Sequence, residues 1–171
     1  VHSSDYGLMY RADNSSQRTK GKIDQVRIFT KALSSSEVST LYAETAATST
    51  SLDPLSEDTT DTLQVLGDSS CIATYRFEND EVDLSGNYNG TGTEIQYAAG
   101  RYGQAASFNG STSKILNSNF TAITGNAART YYVWAYTNGS TSGAFVPTGE
   151  WGVGGRRIAL NIDRSFNRFK L

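Results

Sequence analysis

Gly21 to Glu44, GKIDQVRIFTKALSSSEVSTLYAE, decides how this chain is read. Ile23, Val26, Ile28 and Phe29 make a short strand whose alternation slips between Asp24 and Val26, which predicts a bulge there. A helix follows. Ser34 stands where an N-cap stands, and Glu37 three residues later completes a capping box. Leu33 and Val38 take the two positions of a hydrophobic staple, and Val38, Leu41 and Tyr42 at i, i+3, i+4 give the helix one apolar face.

Outward from this stretch the texture changes twice. Residues 47–70 are rich in Thr, Ser and Asp and too poor in apolar side chains to offset the entropy of ordering, so they read as a linker. Beyond it, Cys71, Ala73, Tyr75 and Phe77 alternate with polar residues as a half-buried strand. Further strands are expected over 103–108, over 131–136, at Ile158, Leu160 and Ile162, and from Phe169. Short strands separated by Gly, Asn and Ser turns indicate an all-β sandwich.

Composition agrees and narrows function. The 171 residues carry 15 basic and 17 acidic side chains, a formal net charge of -2, which gives no electrostatic footprint for nucleic acid. Charged residues are only 19%, while Ser and Thr number 40, so hydroxyls replace charge on the surface. The single cysteine, Cys71, and single histidine, His2, exclude an intrachain disulfide and a Cys/His zinc cluster. Apolar runs are far too short for a membrane-crossing helix.

Three segments resemble one family, the laminin-G-like, concanavalin A-like jelly-roll modules of lectins and adhesins. Gly21–Glu44 resembles the closing strand and helix of such a module. CIATYRFENDEVDLSGNYNGTGT, Cys71 to Thr93, resembles its opening, and RYGQAASFNGSTSKI, Arg101 to Ile115, the strand after it. The resemblance implies a concanavalin A-like antiparallel β-sandwich with one short helix after the strand at 22–29. Because an ending precedes an opening, it also implies the end of one module (1–46), a linker (47–70) and the truncated start of a second (71–171). A circularly permuted single domain is the other arrangement with this order. Modules of this texture are similar to those of phage tail and fibre proteins and of bacterial adhesins, which places the expected setting on a virion or cell surface.

Four carboxylates in the six residues Glu78 to Asp83, followed by Ser85-Gly86-Asn87, offer hard oxygen ligands on a turn. The resemblance implies a structural Ca²⁺ beside this loop, aided by an Asp on the closing strand. The candidate ligands are Asp83, Glu78, Asn87 and Asp24. The competing reading is a solvated acidic loop with Asp83 capping its own turn. Tyr88, Tyr102 and Trp151 adjoin Gly or Asn in expected loops and are candidate platforms for a sugar ring, although most aromatics fill cores.

No strand carries alternating acids across a cleft, and there is no Ser/His/Asp constellation, so catalysis is not expected. The expectation is a non-enzymatic module that contacts a glycan or host-surface receptor, alongside other virion or adhesin subunits, with no nucleic acid or membrane partner. A purely structural spacer is the rival. An accessory domain of a secreted carbohydrate-active enzyme is a weaker one.

Overall fold

A computed structural model describes residues 6–8, 18–44, 66–117, 120, 123, 127–137, 143–149, 157–163 and 168–170. Among these lie eleven strands and one helix. They are β1 (Tyr6–Leu8), β2 (Lys20–Phe29), α1 (Ser35–Tyr42), β3 (Cys71–Tyr75), β4 (Thr91–Thr93) and β5 (Gln96–Ala99). Then come β6 (Gln104–Asn109), β7 (Lys114–Asn117), β8 (Thr130–Thr137), β9 (Gly143–Gly149), β10 (Arg157–Asp163) and β11 (Arg168–Lys170). All pairings are antiparallel.

β2 organises the larger sheet, which has five strands. One edge of β2 pairs along its length with β8, while the other pairs with β6 through its first half and with β3 through its second. Gly21 permits the close approach of β8, because a Cβ there would lie 2.2 Å from the Tyr136 carbonyl oxygen. The expected bulge is present. The β2–β8 register shifts between Asp24 and Arg27, and Gln25 takes a left-handed φ of 50°. A smaller sheet, β1–β7–β4, faces the larger one. Leu8 and Ile115 from it share a core with Ile23, Val26, Ile28, Ala73, Tyr75 and Phe108. Each fully buried aliphatic or aromatic side chain of that size contributes about 2 kcal/mol. The molecule is thus an all-β sandwich. β9, β10 and β11 form a third antiparallel sheet, with β9 beside β1.

β2 and, from beyond residue 70, β3, β6 and β8 share one sheet and one core. The reason is complementarity: β2 buries every side chain from Ile23 to Phe29, and needs strands on both edges and cover on both faces. Of the expected linker, 47–70, residues 47–65 lie outside the described residues.

The helix begins as the sequence requires. The Ser34 N–H donates to Glu37 Oε2 at 2.8 Å and the Glu37 N–H to Ser34 Oγ at 3.4 Å, which closes the capping box. Its apolar face is narrower than expected. Leu41 is buried against Phe29 and Cys71, but Val38 and Tyr42 are 44% and 65% exposed. Leu33 packs against the Leu41 cluster. The strand at 71–77 also stops early, at Tyr75, because Phe77 turns left-handed (φ 59°) to bury its ring beside that of Tyr75.

Candidate functional site

Alternation along β2 and β8 puts Lys22, Asp24, Trp134 and Tyr136 on the face of the sheet opposite Ile23, which points into the core. The register pairs Lys22 with Tyr136 and Asp24 with Trp134. Around Phe29 and Tyr132, Leu41 of α1 covers this face. At the other end the turn between β5 and β6 rises beside it, leaving a cleft of about 300 Å³. Lys22, Asp24, Gly100, Arg101, Trp134 and Tyr136 are among its walls.

The turn is fastened to β2 by a carboxylate. Asp24 Oδ2 accepts the Arg101 N–H at 2.8 Å and the Tyr102 N–H at 2.9 Å. Gly100 is needed here, since a Cβ would sit 2.7 Å from Asp24 Oδ2. On the other side of the turn Glu78 Oε2 accepts the Gln104 N–H at 3.0 Å. Asp24 is 2% exposed and its second oxygen, Oδ1, is buried with no hydrogen-bond partner. Burial pushes its carboxyl up to about 6, against the pull of the Tyr102, Arg101 and Gln25 backbone N–H groups, and the nearby Glu78 charge adds to the rise.

Aromatic rings build the wall. Trp134 is ringed by Tyr42 at 5.4 Å, Tyr132 at 6.3 Å and Tyr102 at 6.5 Å, the last two edge-on. The Arg101 guanidinium lies over both Tyr102 (5.2 Å) and Trp134 (5.0 Å). Lys22 Nζ lies 5.7 Å from the Tyr136 ring centre and donates to the Ala99 carbonyl at 2.6 Å. Tyr136 is 59% exposed at the cleft, with Lys22 over its ring. Burial raises the Tyr132 hydroxyl to about 12, and it donates to the Leu41 carbonyl, so it serves the packing of α1.

The residues expected from sequence sit differently. Tyr102 is buried, its hydroxyl donating to the Glu44 carbonyl at 2.5 Å, so its ring supports the cleft from beneath and offers no open platform. Tyr88 is half-buried against Phe120, and its carbonyl accepts the Tyr75 hydroxyl. Trp151 lies outside the described residues. The four candidate calcium ligands divide into two places. Asp24 and Glu78 meet at the β5–β6 turn. Asp83, 1% exposed, has both oxygens engaged by the N–H groups of Thr74, Ser85 and Tyr88 and the Ser85 hydroxyl. Asn87 is exposed and bonded to Ser85. Among the described residues no three His, Cys, Asp or Glu side chains are grouped to hold a metal.

Sequence reasoning missed Lys22, Arg101, Trp134 and Tyr136. The available signal was aromatic residues at every second position, Tyr132, Trp134 and Tyr136, which marks a strand with one aromatic face. Neither the pairing of β8 with β2 nor the position of the 100–103 turn can be read from that spacing. No family model matches the chain, no curated protein matches it, and no solved structure matches it.

Proposed function

We propose that this protein is a non-enzymatic glycan-binding module of the concanavalin A-like jelly-roll type, displayed on a virion or cell surface. The observation that carries the reading is the cleft beside the 100–103 turn. A pyranose has an apolar face that stacks on an aromatic ring and hydroxyls that need fixed polar partners. The cleft supplies Tyr136 and Trp134 for the first and Asp24, Lys22 and Arg101 for the second. Mostly apolar walls with a few placed polar groups are the usual make-up of a small-ligand site. The order of segments, a closing-type strand joined in one sheet to an opening-type strand, supports a circularly permuted member of that fold class.

Calcium enters the proposal only at Asp24 and Glu78, which face the same turn. A divalent ion there would pair the unpartnered Asp24 Oδ1 and add rigidity to the cleft rim; Asp83 has no oxygen left to give. The test is a glycan array probed with wild-type protein and with Tyr136→Ala, whose ring is exposed and whose loss leaves the core intact. Binding to a defined subset of glycans that the variant loses at least tenfold is the expected result. Absence of binding, or binding that Tyr136→Ala leaves unchanged, would refute the reading and favour a structural spacer.

A further inference from the structure

We infer that the cleft selects a sugar bearing a carboxylate, a uronic-acid-type residue, over neutral sugars; this rests on the glycan-binding reading above. Charge and free donors carry this selectivity. Two cations, Lys22 and Arg101, line the same small cleft as one carboxylate, Asp24, and that carboxylate is buried. Lys22 spends one of its three ammonium donors on the Ala99 carbonyl. The Arg101 guanidinium lies beside two rings that stand nearly perpendicular to each other, Tyr102 and Trp134, and among the described residues it makes neither a side-chain hydrogen bond nor an ion pair. Its planar fork of N–H donors is therefore pre-positioned and unspent, which suits the two oxygens of a carboxylate.

Asp24 sets the orientation. Its charge repels a ligand carboxylate from the floor of the cleft. The ligand acid then points to Arg101 and Lys22, and the ring lies against Tyr136. A volume of about 300 Å³ is at the small end of ligand sites and accommodates one or two sugar residues. An extended polyanion such as a nucleic acid fits less well, because two cations on an acidic chain give little counterion release.

The experiment is calorimetric titration with uronate- and sialate-bearing oligosaccharides, their methyl esters, and neutral counterparts, using wild type, Arg101→Gln and Lys22→Gln. The side chain of Arg101 lies on the surface, and unchanged melting temperature checks that each variant folds. Expected is tighter binding of the acids than of their esters by about tenfold, with Arg101→Gln abolishing that difference. Equal affinity for acid and ester would overturn this inference while the glycan reading stands. Failure of every oligosaccharide, neutral and acidic, would remove both.

Discussion

Two aspartates, both buried, occupy opposite chemical situations in this sandwich. Asp83 has both oxygens engaged by four donors within its own loop and the adjoining strand β3, and a bridge from Asp83 to Tyr75 closes the loop. Asp24 holds a distant turn through Oδ2, leaves Oδ1 without a partner, and lines an open cleft. The sequence drew attention to the first, because acids crowd around it. The lesson is that crowding of acids in a turn measures the demand of backbone N–H groups for acceptors, whereas an unspent buried oxygen marks a place where a ligand has something to gain.

The contrast is broken most readily at Asp83. Asp83→Ala strands buried N–H groups of Thr74 and Tyr88, and we expect it to lower stability by about 3 kcal/mol, read from denaturant midpoints. A change below ~1 kcal/mol would show that this loop does not anchor β3.

Asp24→Asn is expected to act in the opposite direction. A folded carboxyl raised to about 6 from an unfolded value near 3.8 binds its proton more tightly when folded. Its contribution to stability is therefore complete below about pH 4 and is lost as pH rises through about 6. In chelator the variant gains about 1 to 2 kcal/mol over wild type at pH 7.5, allowing for the buried amide it introduces, and the gain vanishes at pH 4. Millimolar Ca²⁺ raises the melting temperature of wild type and of Asn87→Ala but not of Asp24→Asn. A Ca²⁺ shift that survives Asp24→Asn would move the ion elsewhere.

A smaller effect separates folding from function in the helix. Ser34→Ala removes the N-cap and costs about 1 kcal/mol. Because α1 covers the Tyr132 end of the sheet face, glycan affinity stays within twofold of wild type. A tenfold loss would mean that α1 forms part of the site.

Local signals were the legible part of this molecule. The capping box, the bulge after Asp24 and the strands at 71, 104, 130 and 157 follow from hydrogen-bonding chemistry and period-two alternation within a few residues. β4, with the sequence TGT, and β7, with four residues, carry too few apolar side chains to announce themselves. The joining of residues 20–29 to strands beyond residue 70 is a long-range pairing that no local pattern encodes. The cleft was hidden for the same reason. Asp24 and Arg101 are 77 residues apart, and only the sheet register brings them together.

The most direct test of the account is amide chemical-shift mapping with the tightest-binding glycan of the array. The account predicts shifts concentrated at Asp24, Arg101, Tyr102 and Tyr136, with residues 83–88 unmoved. Shifts centred on the 83–88 loop, or none at the cleft, would contradict it.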